Sequence, residues 1–550
     1  MLQIRNLTIL HKKDYRELLK DFSFALNPGE KAVIFGEEGN GKSTLLKWIY
    51  DPELVEAYAE ASGERLVHGE RLGYLAQELP TTDREKSLYE YFSEDMSFWD
   101  QTPGDLSRLA SKLGLAADFF YGDQRLGTLS GGEKVKAQMA RLLIADPTVF
   151  LLDEPSNDID IETLEWLEKW IRESDRPVLF VSHDETLIEN TANVVIHIEQ
   201  LKRKTEGHFT VARLSYRQYM EERLNRLDRQ EQQALNDRRE EKIRQEKFRR
   251  IQQKVEHEQN AISRQDPHGG QLLKKKMKAV KSLEHRYERE AEQMTQMPET
   301  EEAIFFKFGE DIRIPAGKTV LEYECKELYV PAENSDLSGS GPDASEPSAF
   351  PDDSVTADAV PVDAAGRSHG RLLAKDIFLR VKGGEKICIV GNNGVGKTTL
   401  LRKIAAELLE RKDIHAEYMP QNYEELLDLS KTPVEYLSVT GDKEEVTKIR
   451  TYLGSMKYTA DEMSHPIAEL SGGQKAKVLL LKMSMSGADV LILDEPTRNF
   501  SPLSGPVIRQ VLEAYGGVII SISHDRKYIR QVCHTTYQLT SGGLQPVPAP

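Results

Sequence analysis

Two stretches of this sequence carry the residue types that hold the phosphates of a nucleotide. The pattern G-x-x-x-x-G-K-[ST] occurs as GEEGNGKS at residues 36–43 and as GNNGVGKT at residues 391–398. In such a loop, glycines let backbone N–H groups wrap the phosphates, the lysine neutralises the β/γ oxygens, and the hydroxyl binds Mg²⁺. The predicted phosphate-binding residues are Gly36, Gly39, Asn40, Gly41, Lys42, Ser43 and Thr44 in the first loop, and Gly391, Gly394, Val395, Gly396, Lys397, Thr398 and Thr399 in the second.

A pair of carboxylates follows an apolar run at two places. VFLLDEP carries Asp153 and Glu154, and VLILDEP carries Asp494 and Glu495. Because an apolar strand ends at each aspartate, its carboxylate is expected at the sheet edge beside the phosphate loop, where it can hold Mg²⁺ directly or through water. The following glutamate points the other way, where a residue that polarises the attacking water belongs, since phosphoryl transfer depends mostly on positioning and charge stabilisation.

A histidine stands 30 residues after each of these aspartates, His183 in the first repeat and His524 in the second. A lone histidine is usually structural, but the repetition favours a role in holding the γ-phosphate or orienting the attacking water. Gln77 in GYLAQ and Gln421 in EYMPQ are placed to contact Mg²⁺ and that water. The predicted magnesium ligands are therefore Ser43, Gln77, Asp153, Thr398, Gln421 and Asp494.

A further motif, Leu-Ser-Gly-Gly, opens a predicted helix in each repeat and so forms an anion-binding helix N-terminus. Its serine stands 23 residues before the strand-end aspartate in both repeats. Four motifs in the same order, twice, at matching intervals, indicate an internal duplication. The residues of this motif, called the signature below, are Ser130, Gly131 and Gly132, and Ser471, Gly472 and Gly473.

These motifs need a fold that brings strand ends, loop glycines and helix N-termini together. Short apolar strands are predicted before each phosphate loop and each DEP tripeptide, alternating with helices, which indicates an α/β fold. The duplication predicts two phosphate-loop nucleotide-binding domains in tandem, joined by an α-helical hairpin linker. The predicted domains are residues 1–212, a basic linker at 213–298, and residues 299–550.

The linker is predicted from composition. Residues 215–265 contain neither glycine nor proline and are rich in Arg, Glu, Lys and Gln, and residues 271–297 are similar. Apolar residues recur at helical spacing in both, and Asp-Pro-His-Gly-Gly at 266–270 predicts a turn, so we expect a coiled-coil hairpin. Residues 332–368 contain eight acidic residues, one arginine and many Ser, Pro, Gly and Ala, which is typical of a disordered surface insertion.

The net charge is −17, but it is distributed unevenly. Between Leu201 and Gln296 there are 24 basic and 16 acidic residues, so this segment carries +8 and the remainder −25. A polyanion responds to such a local basic surface over a Debye length. Three cysteines without metal-ligand spacing indicate a cytoplasmic setting, no apolar run is long enough to span a membrane, and MLQIRNLTIL predicts no signal peptide.

The repeated motifs together resemble the ATP-binding-cassette superfamily. In that superfamily two cassettes lie head to tail, and the signature of one caps ATP held by the other. The resemblance implies ATP and Mg²⁺ as cofactors, ATP hydrolysis as the reaction, and a monomer with an intramolecular cassette dimer. One site would join Lys42, Asp153, Glu154 and His183 to Ser471, Gly472 and Gly473, and the other would join Lys397, Asp494, Glu495 and His524 to Ser130, Gly131 and Gly132.

Two cassettes joined by a long charged hairpin resemble the ABC-F family in particular, over nearly the whole chain. Members bind the ribosome, and their hairpin reaches toward the peptidyl-tRNA and the peptidyl-transferase centre. Some are translation factors, and others dislodge antibiotics and confer resistance. The resemblance implies rRNA and tRNA as partners of the 213–298 hairpin, whose candidate phosphate contacts are Lys274, Lys275, Lys276, Lys278, Lys281, Arg238, Arg239, Arg244, Arg249 and Arg250.

Three features depart from the family pattern. The segment after DEP, called the D-loop below, is close to Ser/Thr-Asn-x-Leu-Asp at residues 156–160, but at 497–501 it ends in Ser501 instead of Asp. We therefore expect the two sites to hydrolyse ATP at different rates. Only about 50 residues separate Gln77 from the first signature, which leaves little room for an extra helical arm, and no coiled-coil extension follows the second cassette. The altered D-loop and the missing arm favour ribosome protection giving antibiotic resistance over a housekeeping translation factor.

Two other functions remain as alternatives. The ATPase subunit of a membrane transporter would need a surface groove for coupling helices and no glycine-free hairpin between cassettes. A DNA-repair or chromosome-organising ATPase would usually carry zinc modules or much longer coiled coils. Tyr15 is a candidate for stacking on adenine, although a surface or core tyrosine explains it equally well.

Overall fold

The computed structural model describes residues 2–13, 15–201, 206–261, 267–292, 295, 297–298, 308–309, 314–330 and 371–549. The chain divides into two compact units, one formed by Met1–Arg213 with Glu301–Pro550 and the other by Leu214–Thr300. The first unit contains two similar halves, and we call residues 2–213 the first half and residues 308–549 the second half. The predicted disordered insertion at 332–368 lies outside the described residues.

The first half combines a mixed sheet, an antiparallel sheet and helices. Its strands are β1 Leu2–His11, β2 Glu17–Leu26, β3 Lys31–Phe35, β4 Ala59–Val67, β5 Leu72–Leu75, β6 Val149–Asp153, β7 Val178–Val181, β8 Val194–Leu201 and β9 Glu206–Ala212. The mixed sheet has the order β5-β6-β7-β3-β8-β9, with β9 antiparallel at one edge, and the antiparallel sheet has the order β2-β1-β4. The helices are α1 Lys42–Tyr50, α2 Thr81–Arg84, α3 Leu88–Ser93, α4 Met96–Trp99, α5 Pro103–Leu113, α6 Gly131–Ile144, α7 Ile161–Glu173 and α8 Glu185–Thr191, with short 3₁₀-helices at Pro52–Val55, Phe119–Tyr121 and Leu126–Thr128.

The described residues of the 214–300 unit include two helices, α9 Tyr216–Ala261 and α10 Pro267–Glu292. They contact each other through the rings of Phe248 and Tyr287, whose centroids are 6.1 Å apart in an edge-on geometry. At 1.5 Å per residue α9 is roughly 69 Å long. The prediction of a turn at 266–270 was wrong for 267–270, because α10 begins at Pro267. Proline suits a first helical position, where its fixed φ is helical and its missing N–H is not needed.

The second half repeats the plan of the first. Its strands are β10 Thr319–Val330, β11 Arg371–Lys382, β12 Lys386–Val390, β13 Ala416–Met419, β14 Val490–Asp494, β15 Val518–Ile522, β16 Thr535–Thr540 and β17 Gly543–Val547. The mixed sheet has the order β13-β14-β15-β12-β16-β17, and β10 pairs with β11. The helices are α11 Lys397–Leu409, α12 Pro433–Leu437, α13 Lys443–Ser455, α14 Gly472–Ser486, α15 Gly505–Ala514 and α16 Arg526–Val532, with short 3₁₀-helices at Tyr423–Glu425 and Ile467–Glu469.

The central parallel strands position the site residues. Every residue of β3, β6, β12, β14 and β15 is buried, as expected for parallel strands covered on both faces. Carboxyl ends of parallel strands meet at one sheet edge, so the loop after β3 lies near the end of β6, and the loop after β12 near the end of β14. The two α/β halves with a helical segment between them in sequence confirm the predicted fold class. Among the described residues, no helix is long and apolar enough to cross a membrane.

We predict that Leu151→Ala, at the fully buried centre of β6, lowers the free energy of unfolding by about 2–5 kcal/mol, because it leaves a cavity in the sheet core. The measurement is urea unfolding followed by intrinsic fluorescence. All four tryptophans (Trp48, Trp99, Trp166, Trp170) lie in the first half, so the signal reports that half. The control Glu64→Ala, exposed on β4, should change the value by less than about 0.5 kcal/mol. Equal effects of the two substitutions would contradict this account of the core.

Candidate nucleotide sites between the two halves

Each phosphate loop is folded around its own lysine. Gly41, which precedes α1, has a φ of +87°, a left-handed conformation that favours glycine. Lys42 Nζ donates a hydrogen bond to the Gly36 carbonyl oxygen at 3.0 Å. In the second loop, Lys397 Nζ donates to the Gly391 carbonyl oxygen at 2.7 Å. Each loop therefore curves around an ammonium group at a helix N-terminus, which is the arrangement that binds phosphates.

The strand-end aspartates lie beside the loop hydroxyls, as the sequence predicts for Mg²⁺ ligands. Ser43 Oγ donates to Asp153 Oδ1 at 2.8 Å, and the Tyr74 hydroxyl donates to Asp153 Oδ2 at 3.1 Å. In the second half, Asp494 is hydrogen-bonded to Thr398, and its Oδ2 is buried without a hydrogen-bond partner. Burial raises the pKa of Asp494 to about 6. A hydroxyl and a carboxylate are hard oxygen ligands that fit Mg²⁺ when a nucleotide phosphate and water complete the shell.

The predicted water-polarising glutamates contact the predicted histidines, but with different geometry. His183 Nε2 lies 3.0 Å from Glu154 Oε1. Burial opposes ionisation of Glu154, but the nearby His183 and Lys42 hold its pKa below the ordinary value. In the second half, His524 Nε2 lies 3.6 Å from Glu495 Oε1. There, burial and the neighbouring Asp494 charge raise the pKa of Glu495 to about 8.

Both of these glutamates are in a strained backbone conformation. Glu154 has a φ of +50° and Glu495 a φ of +53°, in the left-handed region that non-glycine residues seldom adopt. Their backbone N–H groups are nonetheless bonded to the neighbouring strand, to Val181 O at 3.1 Å and to Ile522 O at 2.9 Å. Such strain persists where the surrounding structure imposes it, and it is concentrated at functional sites.

The signature serines cap the helices that they precede. Ser130 Oγ accepts a hydrogen bond from the Glu133 N–H at 3.3 Å, and Ser471 caps α14 in the same way. Gly131 must be glycine here, since a Cβ at this position would lie 1.9 Å from the Asp158 carbonyl oxygen. The D-loop therefore packs directly on the start of the signature helix of its own half.

The halves meet head to tail, with each phosphate loop against the D-loop or signature of the other half. The Gly473 N–H donates to Glu38 Oε2 at 2.6 Å. On the other side, Asn393 Nδ2 donates to the Asp158 carbonyl oxygen at 2.6 Å. The two D-loops contact each other through Arg498 Nη2 and Asp158 Oδ1, 2.7 Å apart. Each candidate nucleotide site thus contains residues of both halves.

Buried ion pairs join the halves away from the loops. Arg526, at the start of α16, pairs with Glu168 of α7, and both side chains are about nine-tenths buried. The next residue, Lys527, pairs with Glu185 at 2.9 Å and with Glu189 at 2.7 Å on α8. Breaking a buried pair by removing one partner is strongly destabilising, so these contacts set which surfaces meet.

A cavity of about 740 Å³ lies between the halves, within the range of small-ligand pockets. It contains residues predicted for the site built on Lys397, and also Gln77 and His183, which were predicted for the site built on Lys42. The sequence-predicted residues that line it are Gln77, Gly131, His183, Gly394, Gly396, Lys397, Thr398, Thr399, Gln421, Asp494, Glu495 and His524.

Several predicted residues have other contacts. Asn40 is buried, and its side-chain amide donates to the Ile198 carbonyl oxygen at 3.1 Å, which ties the phosphate loop to β8. Tyr15, the adenine candidate, is 78% exposed. Its neighbour Arg16 contacts the phosphate loop instead, donating to the Gly39 carbonyl oxygen at 3.2 Å.

Sequence reasoning missed three side chains that shape the first site. Glu37 and Glu38 contact the opposite half, and the Tyr74 hydroxyl bonds to Asp153. The sequence did contain a signal for Glu37 and Glu38, because acidic residues are unexpected in a loop whose other groups attract anions. The role of Tyr74 had no local signal.

Comparison with known proteins finds two matched cassettes in this chain. The ABC transporter family model matches residues 19–157 and 374–498. The chain is 24% identical to ABC transporter F family member 5 of Arabidopsis thaliana, over 97% of this chain and 75% of that protein. It is 26% identical to ATP-binding protein Uup of Escherichia coli strain K12, over 96% of this chain and 78% of that protein.

Solved structures show the same fold. A complex of archaeal ribosomal stalk protein aP1 and archaeal ribosome recycling factor aABCE1 contains a chain with a TM-score of 0.56 and 17% identity, covering 99% of this chain and 89% of that one. A structure titled as ribosome-bound archaeal Pelota and ABCE1 has a TM-score of 0.51 and 15% identity, covering 98% and 78%. Two matches to the ABC transporter family in tandem, together with F-family relatives that align over nearly the whole chain, confirm the predicted resemblance to the ABC-F proteins.

Proposed function

We propose that this chain is a cytoplasmic Mg²⁺-dependent ATPase that closes its two cassettes on ATP and acts on the ribosome through the 213–298 linker. The observation that carries the ATPase proposal is the head-to-tail contact of each phosphate loop with the opposite half, beside a nucleotide-sized cavity. In such an arrangement ATP binds both halves at once, and its hydrolysis releases them.

The chemistry of the proposed site follows from its side chains. Lys397 neutralises the β/γ phosphate oxygens, and Thr398 with Asp494 would hold Mg²⁺, which neutralises charge on the same oxygens when bound. Glu495 would polarise the attacking water, and His524, adjacent to it, would orient that water or the γ-phosphate. Gln421 lines the same cavity and is placed to contact the metal and the water.

The partner proposal rests on the charge of the linker. Lys274, Lys275, Lys276, Lys278 and Lys281 are exposed along one stretch of α10, in a segment of +8 within a chain of −17. Phosphate contacts by lysine and arginine dominate affinity for nucleic acids. Two archaeal structural neighbours are named in their titles for ribosome recycling or a ribosome-bound state. We therefore propose rRNA and tRNA as the polyanions that the linker contacts.

The finer proposal is ribosome protection that gives antibiotic resistance, and the alternative is a housekeeping translation factor. The second D-loop ends in Ser501 instead of Asp, and the first cassette has about 50 residues between Gln77 and its signature. Both features depart from the housekeeping pattern. Expression of the chain in a susceptible strain, followed by a drug panel, tests this choice: unchanged susceptibility to every ribosome-targeting drug would favour the translation factor.

We predict that Glu154→Gln with Glu495→Gln lowers ATP turnover by at least about 100-fold while ATP still binds, because water activation is lost and the phosphate loops are unchanged. The measurements are phosphate release and cosedimentation with ribosomes in the presence of ATP, where the variant should stay bound. A matched control, Glu64→Gln with Glu410→Gln, changes two exposed glutamates and should behave as the parent. If the first variant sediments free of ribosomes with ATP present, the ribosome proposal is wrong.

We also predict that changing Lys274, Lys275, Lys276, Lys278 and Lys281 to Gln weakens ribosome binding at least tenfold and flattens its salt dependence, since each lost phosphate contact reduces the slope by roughly 0.7–0.9. Binding is measured by titrating the protein in about 10-fold steps, at several salt concentrations between about 50 and about 200 mM. The control removes the same charge from exposed lysines of the cassettes: Lys20, Lys112, Lys326, Lys403 and Lys412. An equal loss in both variants would mean that net charge, not the linker, determines binding.

A further inference from the structure

The first phosphate loop places a carboxylate on the signature of the opposite half. Glu38 Oε2 accepts the Gly473 N–H at 2.6 Å. A Cβ built on Gly472 would lie 3.4 Å from Glu38 Oε1, and one built on Gly473 would lie 3.3 Å from Glu38 Oε2. The carboxylate therefore covers both signature glycines at the N-terminus of α14. This helix end attracts anions, so Glu38 takes a position that suits a phosphate oxygen.

The neighbouring Glu37 is bound even more completely by the second half. Its Oε1 accepts hydrogen bonds from Ser501 Oγ at 2.7 Å and Ser504 Oγ at 2.5 Å, and its Oε2 lies 3.7 Å from Lys477 Nζ. All three partners are more than nine-tenths buried. Although burial opposes ionisation, Lys477 and the two hydroxyls hold the pKa of Glu37 below its ordinary value, so the group is a partly buried carboxylate.

At the other site the acidic group lies on the D-loop and the phosphate loop is neutral. There the phosphate loop carries asparagine at both positions, and the backbone N–H of Asn393, which aligns with Glu38, donates to Asp160 Oδ2 at 3.3 Å. Asp160 holds the D-loop position that Ser501 holds in the second half. At one site the carboxylate belongs to the D-loop, and at the other it belongs to the phosphate loop. The departure at Ser501 is thus matched to Glu37, since an aspartate there would face a like charge.

The aspartates predicted to bind magnesium also differ between the halves, and again the oxygens of the first site are already hydrogen-bonded to protein groups. Both oxygens of Asp153 accept hydrogen bonds from protein hydroxyls, those of Ser43 and Tyr74. Asp494 Oδ2 is buried and has no hydrogen-bond partner. The equivalent tyrosine of the second half, Tyr418, interacts with Arg402. Asp494 Oδ2 is therefore available to bind a ligand.

We propose that Glu37 and Glu38 act as an internal anion that holds the site built on Lys42 closed, so that tight ATP binding is confined to the site built on Lys397. A triphosphate entering the first site must displace Glu38 from the signature and approach two carboxylates of its own phosphate loop. At the second site it meets Asn392 and Asn393, which are neutral. The first site then keeps the cassettes in contact without ATP, and ATP binding at the second site drives closure. This inference rests on the proposed ATPase function.

The test measures binding of radiolabelled ATP with Mg²⁺ to the full chain carrying Glu154→Gln and Glu495→Gln, by equilibrium dialysis. We expect one tight site and a second at least tenfold weaker, with the tight site removed by Lys397→Ala. Adding Glu37→Asn and Glu38→Asn, which copies the second loop, should bring the two affinities within about threefold. Glu37→Gln with Glu38→Gln, a closer match in shape, provides a second variant if the first does not fold.

The outcomes separate the two proposals. Two equal sites before the loop is changed, or a tight site removed by Lys42→Ala instead of Lys397→Ala, would overturn the inference and leave the ATPase proposal standing. A second site that stays weak in both loop variants would also overturn it. Absence of any bound ATP would overturn both.

The pairing of acidic Glu37 with neutral Ser501 gives a further prediction, and its test needs no nucleotide. Ser501→Asp should lower the melting temperature by several degrees, because it buries a second carboxylate against Glu37. Adding Glu37→Asn should restore most of the loss, because the pair then repeats the neutral loop and acidic D-loop of the other site. The matched control Ser501→Asn keeps the site uncharged and should shift melting little. If Glu37→Asn fails to rescue Ser501→Asp, the two residues are not coupled and their charges are not matched.

Discussion

The contact of each phosphate loop with the opposite half is the interaction on which the proposed function of this protein depends. A phosphate loop concentrates an ammonium group, backbone N–H groups and a helix N-terminus in a small volume. The signature helix brings a second set of N–H groups toward the same volume from the other half. An anion or a carbonyl oxygen in the intervening space is therefore attracted by groups of both halves. A nucleotide can join the halves for this reason, and so can a side chain.

Buried ion pairs form part of the interface between the halves away from the phosphate loops. Arg526 pairs with Glu168, and Arg509 pairs with Glu185 at 2.6 Å. Such pairs gain little net stability over apolar packing, but a misaligned arrangement would leave a charge buried and unpaired. We infer that they select one register of closure, while the energy that drives closure comes from the nucleotide.

The two halves share a fold but have diverged where they touch. The first half supplies an acidic phosphate loop and an acidic D-loop, and the second supplies a neutral loop and a D-loop ending in serine. Each acidic group nevertheless finds a donor across the interface: Ser501 and Lys477 for Glu37, and Asn393 for Asp160. Duplication followed by compensating changes at paired positions accounts for this pattern. A single chain permits it, because each contact joins two different segments and not two copies of one.

The sequence by itself determined the features that depend on neighbours along the chain. Apolar runs such as β6 and β14 predicted strands, Leu-Ser-Gly-Gly predicted the start of a helix in each repeat, and the spacing of repeated motifs predicted two cassettes. Even locally the prediction failed at Pro267, where a turn-like composition begins a helix. Only the tertiary structure decided that Gln77 lines the same cavity as Lys397. It also decided that Tyr74 donates a hydrogen bond to Asp153 and that Glu38 accepts one from Gly473. Glu38 and Gly473 are 435 residues apart in sequence, and whether such groups meet is set by how two folded halves pack, which no local pattern encodes.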